Sequence, residues 1–457
     1  MSFPPIRQAQ AETILRIVAR GECCGIFGLS NTGKSPLLRA LPAAENLALY
    51  SQYAGAPGLL VYIDCNRVVE LSATGFYEIV VRSLLEVLEV EEAPAATSLE
   101  APRPETEAAA VAELLHHLHE QHNRITSASA FQASLAFNSV ISECCRQLRQ
   151  DLVLLFDEFD ELYTALEGRT LLNLRALKDN FTHRLVYITA TVRPLSESRT
   201  PGEEEFAELF AAHTLPLGLL SLPDAERVIE NLGGANLGQE ATKTILRLSG
   251  GHFGLLGALT QAARRSPHAE RITSDANARA ECLKIWNQLR AEDQAALTTL
   301  VTEADDGLPP HDRDRLRAFG LVSETGEIFS ELFANFVRRQ SAMPAQAAVG
   351  VLVDEDAGEV WVDGSKVTIL TDLEYRLMRL LYQRLDRLTT KDMIVEAVWG
   401  GAYLDKVDDA RIEKLVSRLR AKVEPDPARP RYLLTQRGRG YKLSSRPVES
   451  KLEEGEA

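Results

Sequence analysis

CGIFGLSNTGKSPLLRAL, residues 24–41, is the stretch whose reading decides the fold. Cys24-Gly25-Ile26-Phe27 is a short apolar run that predicts a buried strand. Pro36 to Leu41 suits the opening turns of a helix, where a missing proline N–H costs little. Between them Gly28–Ser35 spells G-x-x-x-x-G-K-[ST]. Gly28 and Gly33 permit the tight fold that turns successive backbone N–H groups inward at phosphate oxygens, with Asn31 and Thr32 in the loop between them. Lys34 reaches the β- and γ-phosphates, and the Ser35 hydroxyl is a ligand for Mg²⁺. Strand, loop and helix in this order predict a site for ATP with Mg²⁺.

The rest of the chain surrounds this site with more than one core. Its 457 residues suggest about three domains. Hydrophobic content of 45% and charged content of 25% are those of a globular protein. No stretch approaches the roughly 18 apolar residues of a membrane span, and MSFPPIRQAQ lacks a signal-peptide core. The six cysteines show no zinc-ligand spacing and read as reduced, buried residues of a cytoplasmic protein. A net charge of −15 opposes non-specific nucleic-acid binding by the whole molecule. Residues 411–442 nevertheless form a basic island, a local site for an anionic partner.

Leu152–Glu158, LVLLFDE, supplies the second half of the nucleotide site. Its apolar residues predict a strand buried on both faces, with two acids at the carboxyl end, where parallel α/β sheets collect ligands. Asp157 there holds Mg²⁺ through water, and Glu158 polarises the water that attacks the γ-phosphoryl group. The plainer reading is a helix start whose dipole favours acids. Residues 59–64 and 185–191 are further strand-like runs. Thr189 or Thr191, followed by Arg193-Pro194, occupies the place of a γ-phosphate sensor, or is simply a β-branched strand end. Arg175, in LNLRALK, is either an arginine finger for a neighbouring subunit or the exposed side of a surface helix. Residues 93–108, rich in Pro, Ala and Glu, read as a surface loop.

GLSNTGKSPLLRAL, VYIDCN, LLFDEFDEL, LRALKDN and YITATVRP together resemble the STAND and origin-recognition-like branches of the AAA+ superfamily. The resemblance covers roughly residues 1–340 and implies a P-loop ATPase domain (1–215), a helical lid (216–285) and a winged-helix module (286–342). It also implies a lid motif that touches the nucleotide. The matching stretch is Ser249-Gly250-Gly251-His252-Phe253-Gly254, with His252 as the nucleotide sensor and Phe253 where the pattern has proline. The stretch has no clear sensor arginine, which favours a slow switch over a fast motor. Residues 290–340 are not strongly basic, so the first winged helix reads as a structural module.

Residues 347–446 read as a second unit. Alternation over 349–369 predicts a small antiparallel sheet. Thr371-Asp372-Leu373-Glu374 is a capping box that opens a helix. A second helix runs from Lys391 to Trp399, and a third covers about 409–423. The third buries Ile412, Leu415, Val416 and Leu419 and leaves Ala410, Lys414, Ser417, Arg418 and Ala421 on the opposite face, beside Arg411. Small residues flanked by long cations suit a major groove. A hairpin follows, with Arg437 and Arg439 at its tip for minor-groove or phosphate contact. LTDLEYRLMRLL, VSRLRAKVEPDP and YLLTQRGRGYKL resemble the winged-helix effector domain of OmpR/PhoB-type response regulators. That resemblance implies duplex DNA as partner and RNA polymerase contact through the 400–408 loop, although no phosphoacceptor receiver domain accompanies it. Residues 447–457 read as an acidic, disordered tail.

The expected fold class is multidomain, with an α/β P-loop sheet, a helical lid with a winged helix, and a C-terminal α+β winged helix. The expected function is an ATP-controlled transcription regulator, slowly hydrolysing and able to self-associate with nucleotide. Two alternatives stand beside it. One is an AAA+ assembly ATPase on DNA in defence, transposition or replication. The other is a chain in which nucleotide is only a structural ligand.

Overall fold

The computed structural model describes residues 6–92, 105–127, 129–197, 204–266, 268, 272–302, 308–323, 325–342, 350–354, 359–363, 365–367, 370–400, 409–436 and 438–447. Outside these lie most of the 93–108 segment, the turns at 356–358 and 364, loop residues 401–408, Arg437 and the tail from 448. The chain divides into two compact units, Met1–Leu297 with Asp305–Ala334 and Thr298–Ala304 with Asn335–Ala457.

The first unit opens with α1 (Gln8–Val18), β1 (Cys24–Phe27), α2 (Lys34–Ala40), α3 (Ala44–Ala54) and β2 (Gly58–Asp64). There follow α4 (Ala73–Glu92), α5 (Glu105–Ser127), α6 (Ala130–Gln147), β3 (Asp151–Asp157), α7 (Asp160–Ala165), α8 (Gly168–Asn180), β4 (Leu185–Thr191), α9 (Glu204–Ala207) and β5 (Thr214–Pro216). The loop expected over 93–108 is corrected at its end, since residues 105–108 already belong to α5.

The five strands form one parallel sheet in the order β2-β3-β4-β1-β5. Each inner strand is buried on both faces, which is why β3 and β4 read as continuous apolar runs. β4 therefore stands between the strand before the phosphate loop and the strand that ends in acids. Behind the acidic end lies an aromatic cluster. Phe156 stacks on Phe159 at 5.2 Å, and Phe76, Tyr187 and Phe206 fill in around them. Burying such a ring stabilises by roughly 1.5–3 kcal/mol, so the acids stand on a rigid floor.

Beyond the sheet come α10 (Leu222–Ile229), α11 (Gln239–Ser249), α12 (Phe253–Arg265), α13 (Ala276–Gln288) and α14 (Ala291–Thr302). Then follow α15 (Pro310–Ala318), a single bridge between Val322 and Ile328, and α16 (Glu331–Ala342). This small winged-helix-like piece is tied to α11, where Ser330 Oγ donates to Leu248 O at 2.5 Å. It is also tied to the sheet, where Phe319 meets Phe27 edge-on at 5.8 Å. No helix among the described residues is long and apolar enough to cross a membrane.

The second unit has an antiparallel sheet of β6 (Val351–Asp354), β7 (Glu359–Val362) and β8 (Ser365–Lys366). Three helices follow, α17 (Asp372–Gln383), α18 (Lys391–Trp399) and α19 (Asp409–Val423), then a hairpin of β9 (Leu433–Gln436) and β10 (Gly440–Leu443). The Thr371/Glu374 capping box forms as expected. Leu377, Leu381, Ile394, Val398, Ile412, Leu419, Tyr432 and Leu443 share one core. Glu424 fixes the entry to the hairpin. Its buried carboxylate accepts the backbone N–H groups of Arg431, Tyr432 and Leu433 at 2.8, 2.9 and 2.6 Å. Replacing Glu424 with Ala strands three donors. The second unit should lose about 3 kcal/mol or more, read as earlier amide exchange over residues 431–443 in rising urea, with the sheet of the first unit unaffected.

Candidate functional site

The phosphate loop leaves β1 with its geometry fixed by sterics. A Cβ on Gly28 would sit 2.6 Å from Leu217 O, and Gly33 adopts φ +100°, so neither position accepts a side chain. Asn31 takes φ 60°, a left-handed conformation that asparagine tolerates better than most residues. Thr32 is buried and its hydroxyl donates to Leu29 O at 2.8 Å, bracing the loop from inside. Lys34 opens α2, is buried, and donates through Nζ to Gly28 O at 2.7 Å and Leu29 O at 3.1 Å. Ser35 follows it, half-buried, in the first turn.

Asp157 and Glu158 stand across from this lysine. Asp157 is buried at the end of β3, and its carboxylate accepts the Glu158 N–H at 3.1 Å and the Tyr62 hydroxyl at 2.6 Å. Glu158 lies just past the strand at φ 51°, an unfavourable conformation held by its surroundings. Burial raises the Glu158 carboxyl above its ordinary range, Lys34 opposes that rise, and Asp157, Asp160 and Asp64 add to it. A carboxylate with raised proton affinity is the kind that polarises water. Burial pulls the Lys34 ammonium the other way, below its usual value, against the field of Glu158, Asp160 and Asp157. Asp160 caps the far side by accepting the Val192 N–H at 2.8 Å.

Mg²⁺ fits this donor set. It takes hard oxygen ligands, often one or two from protein and the rest from phosphate and water. The Ser35 hydroxyl and the Asp157 carboxylate are such donors. Among the described residues no group of three or more His, Cys, Asp or Glu is arranged to hold a metal by itself.

Thr191 and Thr189 part company. Thr191 ends β4 in register with Phe27, its carbonyl accepts the Gly28 N–H at 3.1 Å, and its hydroxyl is turned to Arg193 O at 2.6 Å. Thr189 is fully buried two residues back. The Arg175 guanidinium donates to Glu205 O and pairs with Glu208 at 3.3 Å and Asp179 at 3.4 Å on the surface of α8 and the α9 segment.

The Ser249–Gly254 stretch lies directly against the loop. His252 caps α12 through Nδ1, which accepts the Leu255 N–H at 3.3 Å. Gly254 N donates to Asn31 O at 2.9 Å, and a Cβ there would lie 2.8 Å from both Asn31 Cβ and Glu281 Oε2. The Phe253 ring covers Gly33, 3.6 Å from where a side chain would begin, so aromatic contact replaces the proline of the resemblance. His252 is buried, and desolvation lowers its pKa to about 4 against the opposing effects of the nearby Glu281 and a Ser30 backbone contact.

Three more residues meet the loop, and sequence reading passed over them. Glu281 Oε2 accepts from Asn31 Nδ2 at 2.7 Å, and Gln288 Oε1 accepts the Ser30 N–H at 2.8 Å. They lie two turns apart on one face of α13. Arg193 Nη2 donates to Gln288 O at 3.0 Å and stands over the Phe319 ring, joining β4, α13 and α15. Arg7, buried at φ 60°, donates to Thr32 O at 2.9 Å and Gly218 O at 2.5 Å. Desolvation draws its pKa down to about 10. These contacts span up to 258 residues of sequence, and no local spacing announces them.

In the second unit, α19 presents the expected face. Ile412, Leu415, Val416 and Leu419 are buried, while Ala410, Arg411, Lys414, Ser417, Arg418 and Ala421 are exposed. Arg439 is exposed at the hairpin, and its companion Arg437 is outside the described residues. Arg420, though part of the basic island, is structural. It donates to Leu433 O at 2.6 Å and Thr435 Oγ1 at 2.8 Å.

Residues 365–443 match the family model described as transcriptional regulatory protein, C terminal. YrkP of Bacillus subtilis, an uncharacterized transcriptional regulatory protein, is 37% identical over 93 residues, 20% of this chain and 39% of that protein. The DNA-binding response regulator MtrA of Mycobacterium tuberculosis is 38% identical over 108 residues, 23% of this chain and 46% of its own length. The chain thus spans less than half of the curated relatives it matches. Among solved structures, a Walker-type ATPase of Pyrococcus abyssi superposes with TM-score 0.47 at 13% identity, over 74% of this chain and 96% of the other. The Aeropyrum pernix ORC1 protein in complex with DNA gives TM-score 0.36 at 13% identity, over 75% and 94%.

The buried neutral His252 makes stability depend on pH. Its folded pKa of about 4 lies below the ordinary 6.5, so between these values the unfolded chain binds the extra proton. Stability should therefore fall as pH drops from about 6.5 toward 4. His252→Asn keeps a capping acceptor and removes the titration. Urea midpoints of the two proteins across this range should converge at low pH, with the variant showing the flatter slope.

Proposed function

We propose that this chain, a P-loop ATPase-like fold carrying an OmpR/PhoB-type winged helix, is a nucleotide-responsive transcription regulator acting on double-stranded DNA. The observation that carries the reading is the set of hydrogen bonds from the phosphate loop to α12 and α13. Ser30 N–H and Asn31 Nδ2 donate to Gln288 and Glu281 of α13, and the Gly254 N–H of α12 donates to Asn31 O, all on the loop that would take the phosphates, so occupancy of the loop and docking of these helices are linked. Arg193 and Phe319 carry that linkage into the first winged-helix piece.

Each residue then has a task. Gly28, Asn31, Thr32 and Gly33 shape the backbone around the phosphates. Lys34 leaves the loop carbonyls for the β- and γ-oxygens. Ser35 and Asp157 hold Mg²⁺, which when bound offsets charge on the phosphate oxygens. Glu158 accepts a hydrogen bond from the attacking water, and Thr191 and His252 line the approach. A lysine already bonded to carbonyls and a lid already closed favour slow turnover and a switch. On the DNA side Lys414, Ser417 and Arg418 enter the major groove, with Arg411 at its edge. Arg437 and Arg439 contact phosphate or the minor groove. Contact with RNA polymerase through residues 400–408 and nucleotide-dependent self-association belong to the same proposal.

Selection of duplexes with ATP, with ADP and without nucleotide tests the reading. Wild type should prefer one sequence with an affinity that differs among the three conditions, and Lys34→Ala should abolish the difference. Arg418→Ala should weaken binding by about 1–3 kcal/mol for a base contact. The double change Glu281→Ala with Gln288→Ala removes two acceptors that compete with phosphate. At about 1 kcal/mol each, nucleotide should then bind roughly thirtyfold tighter. Equal DNA binding in all three conditions would reject the switch.

A further inference from the structure

β2 and β3 pair in parallel with Tyr62 opposite Leu155 and Asp64 opposite Asp157. Residues two apart on a strand share a face, so Tyr62, Asp64 and Asp157 all stand on the side that faces α2. The phenol spans the offset and donates to Asp157 Oδ2 at 2.6 Å, while Oδ1 accepts the Glu158 N–H at 3.1 Å. Both oxygens are thereby held, one by a side chain and one by backbone, and the carboxylate has a single orientation.

The phenol is itself held. The Arg39 guanidinium, on the helix that begins with Lys34 and Ser35, lies 5.1 Å from the centre of the Tyr62 ring. The same guanidinium is 3.7 Å from Asp64 Oδ2, and Asp64 Oδ1 accepts the Asn66 N–H at 3.1 Å. Asp64 is thus occupied by Arg39 and by its own turn, which leaves the phenol to Asp157 alone. A continuous path runs from the phosphate-loop helix through Arg39 and the Tyr62 ring to the carboxylate.

We propose that Tyr62 is a positioning residue for the metal: its hydroxyl orients the Asp157 carboxylate so that the free lone pairs meet a divalent cation held with nucleotide. The inference rests on the nucleotide-site reading above. Partners that orient a ligating carboxylate commonly govern metal affinity by about 10- to 100-fold.

Tyr62→Phe keeps the ring against Arg39 and deletes only the donor. The measurement is binding of a fluorescent ATP analogue by the full chain, titrated in EDTA and then at rising Mg²⁺. In EDTA the two proteins should bind equally. Mg²⁺ should tighten wild type, and the gain should fall about tenfold or more in Tyr62→Phe. In an Asp157→Asn background the same change should have no further effect, because the carboxylate it orients is gone. An equal Mg²⁺ gain in wild type and Tyr62→Phe overturns the proposal, and so does an undiminished loss in the Asp157→Asn background. Should Tyr62→Phe fail to fold, Arg39→Met, which frees the ring face and leaves the hydroxyl, should still lower the Mg²⁺ gain; an unchanged gain there also counts against it. Failure of the underlying reading looks different: wild type would then bind no analogue, or bind it no better than Lys34→Ala.

Discussion

On the proposed reading the phosphate loop satisfies its donors in two ways, with phosphate oxygens or with oxygens of α13 and its own carbonyls, and the first unit is organised around that choice. Lys34 is a strong donor in a poorly solvated site, where leaving it unpaired would cost about 1–3 kcal/mol, and half-buried Ser30 and exposed Asn31 add donors at the rim. Gln288, Glu281 and the loop's own carbonyls supply the acceptors. An anionic ligand offers better ones. Because Glu281 and Gln288 share one face of α13, displacing them acts on a whole helix. A rigid helix turns a local exchange of hydrogen bonds into displacement of a larger element.

The acidic side of the site follows the same economy of charge. Glu158, Asp157 and Asp160 surround a buried lysine, so each sign is tolerated because the other is near. The raised proton affinity of Glu158 and the lowered one of Lys34 both trace first to desolvation. β4 between β1 and β3 separates loop from acids by one strand width, about 5 Å on either side.

Local chemistry made part of this legible in the sequence. The loop, β1, β3 and β4 could be read because glycine, lysine and continuous apolar runs each have one strong local meaning. α18 and α19 could be read for a similar reason, since their apolar stripes recur at helical spacing. Strand order could not, because the inner strands of the parallel sheet are all buried alike and pairing leaves no mark on their residues. Arg7, Glu281 and Gln288 escaped because each is an ordinary residue on an ordinary helix or turn until folding brings it to the loop. Tyr62 was hidden in the same way: a tyrosine in a strand reads as core, and only the register with Asp157 gives its hydroxyl a purpose. For Arg175 the sequence shows a surface helix, and only folding brings the Glu208 carboxylate and the Glu205 carbonyl to its guanidinium.

Segment-resolved hydrogen exchange on the full chain, with and without an ATP analogue and Mg²⁺, addresses the central claim most directly. If phosphate and α13 compete for the loop, nucleotide should protect residues 28–37 and speed exchange over residues 276–288, with a change over 409–436 when the signal reaches the second unit. Protection of the loop with α13 unchanged or further protected would contradict the account.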